Sequence, residues 1–319
     1  DFSAEIHRET EGNPFFIEEV VKTLVNDGQI ICDCGEWRRR DEGGHLVLPQ
    51  GVKAAIGRRL VHLGARTTDV LRTAAILGKT FGFAELSAVA DQSEDELLDA
   101  LDDAVAAQLL ETGSGEAITF THDKIREVLY HELNPIRRRR LHARAAEGLE
   151  ALRARGGRVA IEDLAHHSME GGCLDKGLAY ATEAAADAVT LFAYADALHL
   201  YDRARECAEA LNMTEELPRI ESAMGDVFSL KGEPLEAAAA YERALESIEA
   251  PAAATALKCK IAESYALIGE ARGPIYVEEA KTALDPETQH AEVARATMIE
   301  ARFHHYHGRS GKAADLLLQ

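Results

Sequence analysis

Ala197, Tyr201 and Ala204 return forty residues later as Ala237, Tyr241 and Ala244. A stack of repeated helical units is the architecture that uses such a period. Gly225 and Phe228 precede the second set, and Gly232-Glu233-Pro234 supplies a turn between two helices. Ala262 and Tyr265 open a third unit, expected to be disturbed by Gly273-Pro274; Ala301, Gly308, Ala313 and Leu317 open a fourth, which reads as cut off at Gln319. Each such unit seats aromatic side chains of one helix against small residues of the other, and stacked pairs leave a groove suited to peptides or helices. The bland alternative is an ordinary helical bundle with chance alanines.

Upstream of the repeats, helical patterns are interrupted twice. Pro14 at a first turn, apolar residues at Phe16, Ile17, Val20, Val21 and Leu24, and Gly28 as a stop predict a helix over 14–27. Residues 29–48 change character around Gly35-Glu36 and read as a β-hairpin. Helical spacing resumes at Val52, Ile56, Leu60 and Leu63, and again at Val70, Leu71, Ala74, Ala75 and Leu77 before Gly78. Phe81 and Phe83 lead into a short helix near 84–90. Ser93 and Glu96 then form a capping box for a helix bearing Leu97, Leu98, Leu101 and Val105. Residues 109–121 read as a second hairpin around Gly113-Ser114-Gly115, followed by helices over 123–133 and from 136 past 152. Three helices followed by a hairpin is the winged-helix order, and Gly156-Gly157 marks a domain boundary.

Charge narrows the partners. Residues 1–155 carry 20 basic and 27 acidic side chains, residues 156–319 carry 15 and 28, and the net charge is -20. So acidic a surface repels phosphate backbones, and the candidate recognition helix carries Glu94, Asp95, Glu96, Asp99, Asp102 and Asp103 without a basic residue. No direct nucleic-acid contact is therefore expected, nor a membrane span, since no stretch reaches the roughly 20 apolar residues required. Five scattered cysteines fit a reducing, cytoplasmic setting rather than a disulfide framework. Cys32 and Cys34 read as alternate residues of a strand.

No catalytic or metal constellation emerges. Gly78-Lys79-Thr80 lacks the earlier glycine of a phosphate-binding loop, because Thr73 stands there and residues 74–77 read as helical core. His166-His167 and His304-His305-His307 lack the spacing of a zinc helix, and a surface or groove role is expected for them. Arg137–Arg140 reads as a solvated helix turn paired with Glu132, Glu147 and Glu150. His122 sits where a wing strand meets a helix N-terminus, a place suited to an anion. Its imidazole either meets a phosphate oxygen or caps the helix.

Several segments in fixed order resemble the C-terminal part of the STAND class of signal-transduction ATPases, in the branch of large LuxR-type regulators and cyclase- or kinase-linked proteins with tetratricopeptide repeats. Glu11-Gly12-Asn13-Pro14-Phe15-Phe16-Ile17-Glu18-Glu19 resembles the class's Gly-x-Pro segment. Leu48-Pro49 with Val52, Ile56, Arg59 and Leu60, and then residues 74–81, resemble the next two blocks. Residues 120–130, from Phe120-Thr121-His122-Asp123 onward, resemble its winged-helix signature, and Arg138-Arg139-Arg140-Leu141-His142 follows.

The resemblance implies a mainly α fold: a helical lid segment over 1–63 with a hairpin near 29–48, a winged-helix domain and following helix over 64–155, and an α-solenoid of tetratricopeptide-like repeats over 156–319. It also implies that Pro14 packs by an adenine and His122 contacts the β-phosphate of ADP, with Gly12 and Asn13 in support. The chain contains neither a Walker A loop nor a Walker B strand, so it is not expected to be an enzyme by itself. ADP or ATP is expected only together with an upstream ATPase core, and a protein, peptide or small inducer is expected on the repeat groove. The alternative is a stand-alone tetratricopeptide adaptor that never meets nucleotide.

Overall fold

The computed structural model describes residues 30–33, 36–39, 60, 63–113 and 115–318, together with positions 3, 4, 6, 7, 12, 14, 17, 20, 21, 24 and 25. Asn13, Gly28, Cys34 and residues 41–59 lie outside the described residues. The chain divides into two compact units, Asp1–Val159 and Ala160–Gln319. It is mainly α-helical.

In the first unit, every described position from 14 to 25 is helical. Strand β1 (Ile30–Asp33) then pairs antiparallel with β2 (Glu36–Arg39), Ile30 lying opposite Arg39. Helix α1 (Ala65–Leu77) ends at Gly78, whose φ of 135° takes the chain out of the helix and into β3 (Thr80–Gly82). Helices α2 (Phe83–Val89) and α3 (Glu94–Ala106) follow, with the Ser93–Glu96 box closing the first turn of α3. Strands β4 (Leu110–Thr112) and β5 (Ala117–Phe120) precede α4 (Asp123–Glu132) and α5 (Pro135–Ala154).

The wing is a three-stranded antiparallel sheet in the order β3-β5-β4 rather than a plain hairpin. The added strand β3 is three residues long, too short to show the two-residue alternation by which strands are read, and it pairs with residues far along the chain. Phe81 on β3 and Phe120 on β5 are buried with ring centroids 6.1 Å apart. They join one core with Val70, Leu71, Leu86, Leu97, Leu109 and Leu129, and the same core takes in Ile6, Val20 and Leu24 from the start of the chain. Helix α5 packs against α2 at Gly148, where a Cβ would lie 2.4 Å from the carbonyl oxygen of Ala88.

The second unit consists of helices α6 (Ile161–Gly171), α7 (Leu174–Thr190), α8 (Tyr194–Ala210), α9 (Leu217–Lys231), α10 (Pro234–Glu246), α11 (Pro251–Ile268), α12 (Gly273–Ala283), α13 (His290–Tyr306) and α14 (Ser310–Leu317). Left-handed residues sit at the turns: Gly172, Phe192, Asn212 and Gly232 fall at intervals of twenty, and Gly269 and Gly308 continue the series at wider spacing. Two successive turns therefore span one forty-residue period of the sequence.

Small residues seat aromatic ones as the repeat reading expects. A Cβ on Gly225 of α9 would meet the Tyr241 ring of α10 at 2.4 Å. Gly273-Pro274 does not disturb the third unit: it forms the first turn of α12, where a proline lacks only an N–H that has no helical partner anyway. Gly273 also leaves the space that the Phe303 ring fills, since a Cβ there would overlap it.

Candidate functional site

The wing–helix junction is built by backbone and side-chain bonds that fix the approach to α4. Thr121 N donates to the Leu109 carbonyl at 3.1 Å, and its Oγ1 donates to the Gln108 carbonyl at 2.9 Å. His122 then takes extended backbone angles as the N-cap residue, its carbonyl accepting from Ile125 N at 3.0 Å. Its side chain makes no capping bond to the helix. The residue is half-buried at the helix start, where Asp123 is already paired with Arg126 at 3.1 Å.

Gly12 lies in a turn with φ of 74°, its N–H donating to the His7 carbonyl at 3.2 Å. A side chain there would be strained by that angle and would press on the His7 ring at 2.9 Å. Pro14 is helical and exposed. Pro14 and His122 belong to one unit and flank one core, because Val20 and Leu24 after the first and Ile125 and Leu129 after the second are all members of it. Gly78-Lys79-Thr80 is the end of α1 and the start of β3, its Lys79 carbonyl accepting from Phe120 N at 2.9 Å, so it forms no phosphate loop.

The second unit carries polar ties from helix to helix. Asp226 on α9 accepts from Tyr241 Oη at 2.7 Å and from Lys260 Nζ on α11 at 2.6 Å, and that ammonium also lies 5.2 Å from the Tyr241 ring centroid. Glu263, less than one turn further along α11, pairs with Arg295 on α13 at 2.8 Å. On α10, Glu242 accepts from Tyr265 Oη at 2.8 Å and Tyr276 Oη at 2.9 Å, with Arg272 over the Tyr265 ring at 4.6 Å. Burial first, and then these bonds to Glu242, push both phenols up to about 12. Tyr241 is raised further, by burial and then by Asp226. None of these long-range partners shares a local pattern, so sequence reasoning missed them.

Beyond Arg295 the helices enclose a cavity of about 460 Å³. Met298, Ala301, Ala313 and Leu317 form its apolar lining, and Glu263, Arg302 and His305 add charge or polarity. That combination suits a peptide side chain with a polar neighbour. Of the histidines, His305 is exposed and lines this cavity. His167 is instead buried, and burial together with His166 holds its imidazole down to about 4.

No helix among the described residues is long and apolar enough to cross a membrane. No family model and no curated protein matches the chain. Among solved structures, the chain is similar to the Signal Transduction ATPase with Numerous Domains protein with a tetratricopeptide repeat sensor, PH0952 from Pyrococcus horikoshii. That match has 13% identity and a TM-score of 0.44, and covers 99% of this chain and 43% of the other. It is also similar to NprR in complex with its cognate peptide NprX, at 12% identity and a TM-score of 0.26 over 74% of this chain and 75% of that one. The chain thus spans less than half the length of the first of these proteins.

Proposed function

We propose that this chain is the regulatory region of a nucleotide-switched signalling ATPase, reading the ADP or ATP state through the first unit and binding a protein or peptide on the second. The observation that carries the nucleotide half is the place of His122, between the last strand of a short sheet and the N-terminus of α4. In this reading His122 meets a phosphate oxygen, Pro14 packs by the base, and Gly12 and Asn13 shape the turn before it. The P-loop, magnesium ligands and hydrolytic chemistry belong to an ATPase core that would act together with this chain. ADP would stabilise a closed arrangement, and ATP or a partner on the repeats an open one, in proportion to the difference in affinity for the two states.

The test uses the intact parent protein with its ATPase core. His122→Ala should lower ADP retention and raise basal signalling. Unchanged ADP retention with unchanged basal output would sink the assignment.

The second reading, a tetratricopeptide adaptor independent of nucleotide, is favoured by the cavity beside Met298, which lies wholly within the second unit. A photo-crosslinker at position 298 that captures the same peptide with equal efficiency whether the parent holds ADP or ATP would favour the adaptor. Nucleotide-dependent capture would favour the switch.

A further inference from the structure

We infer that the first unit carries a second anion site, distinct from His122: a cavity of about 300 Å³ that takes a dianionic phosphate group, free or carried on an organic molecule. Its walls bring Arg72 from α1 together with Arg137, Arg140 and Arg144 from α5, facing only the two carboxylates Asp69 and Asp91. Spacings of three and four residues along α5 place three of these arginines on one face of the helix. Arg72 comes from an element more than fifty residues earlier.

The carboxylates do not neutralise the cluster. Asp69 is shared, at 3.0 Å from Arg72 and 3.7 Å from Arg137. Asp91 pairs with Arg144 at 2.6 Å, and a second nitrogen of that guanidinium donates to the Val89 carbonyl at 2.6 Å, which fixes its plane. Arg140 has no ion pair or hydrogen bond among the described residues. The expected pairing of the arginine run with glutamates of its own surroundings therefore does not describe Arg137, whose partner comes from α1, or Arg140. Arg138 points elsewhere, over the Tyr130 ring at 5.0 Å.

Two positive charges remain uncompensated, matching a phosphate group, which carries close to two negative charges above its second pKa of about 6. A carboxylate supplies only one. Planar guanidiniums present paired N–H donors that fit the oxygens of a phosphate, and charge-assisted bonds of this kind are about twice as strong as neutral ones. Thr73 also lines the cavity, but its hydroxyl donates to the Asp69 carbonyl at 3.1 Å.

The test is isothermal titration of the full 319-residue chain with inorganic phosphate, phosphoserine and acetate at matched ionic strength. Saturable binding of phosphate or phosphoserine is expected, with acetate at least about tenfold weaker and phosphate binding falling as pH drops below about 6. If phosphoserine binds more tightly, the group arrives on an organic carrier; if inorganic phosphate does, the free ion is the ligand. Arg140→Ala, at an exposed and unpaired residue, should fold normally and weaken binding at least about tenfold. Arg302→Ala in the other unit should leave it unchanged. Absence of saturable binding by either phosphate compound, or equal affinity in Arg140→Ala, would overturn the proposal. So would acetate binding as tightly as phosphate. His122→Ala should not alter this binding, which separates failure here from failure of the nucleotide reading.

Discussion

A Cβ on Gly225 would lie 2.4 Å from the ring of Tyr241, which is itself 3% exposed and tied through its hydroxyl to Asp226 at 2.7 Å. The ring is held at its far end and cannot swing aside. Gly225→Ala should therefore destabilise the second unit by up to about 2 kcal/mol. An overpacking cost of about 1–3 kcal/mol outweighs the gain of about 1 kcal/mol in helix propensity. Urea denaturation of the single variant and of Gly225→Ala/Tyr241→Leu checks this, because relief of the clash makes the pair less costly than the sum of the single changes.

Glu221 on α9 has a side chain only 8% exposed and accepts from Arg243 at 2.8 Å, with Arg205 at 3.6 Å. The two ways of breaking this cluster are unequal. Arg243→Met leaves a buried carboxylate with one distant partner and should cost about 2–4 kcal/mol, discounted from a fully buried pair because Arg243 is partly exposed. Glu221→Met leaves two guanidiniums that reach water and should cost less. Equal midpoint shifts in denaturation would contradict this account.

Tyr265 and Tyr276 share Glu242 and are pushed up to about 12, by burial and then by their bonds to that carboxylate. An acid whose folded pKa is raised stabilises the fold fully below its unfolded value of 10.0 and loses that contribution as pH rises toward 12. Alkaline titration followed by phenolate absorbance should show a late-ionising class of tyrosines, with stability falling across the same window. Glu242→Gln should lower the late transition, since it removes the negative charge beside both hydroxyls.

Phe192 holds a left-handed φ of 61° while 77% exposed. Such a conformation costs a non-glycine residue about 1–2 kcal/mol, against about 0.5–1 kcal/mol for the extra backbone entropy that glycine loses on folding. Phe192→Gly should thus raise stability by up to about 1 kcal/mol. Phe192→Val should lower it, because branching at Cβ worsens the strain. Thermal melts of both variants decide the matter.

Much of this fold can be read along the chain because its signals are local. The Ser93–Glu96 box, the glycine stops at Gly78 and Gly232, and the forty-residue return of Ala-Tyr-Ala each depend on residues within a turn or a fixed period. What escapes is long-range. Strand β3 exists only because β5 lies beside it, and Gly273-Pro274 resembles a break until Phe303 is seen to occupy the space. Arg137 and Arg140 look like part of a solvated run until α1 brings Arg72 and Asp69 beside them. His122 could be placed by sequence at a helix start, but only the structure shows that it leaves the helix uncapped.

Two of the ties between helices share a direction. Asp226 lies on the earlier helix and Lys260 on the later one; Glu263 and Arg295 repeat that order one step on, with α11 carrying a base toward its predecessor and an acid toward its successor. A helix inserted backwards, or a unit exchanged with one of opposite polarity, would set like charges face to face. Elsewhere in the stack the order reverses, as in Lys258–Glu279 and Lys281–Glu300, so the two matched ties index α9, α11 and α13 against one another rather than the whole series of helices.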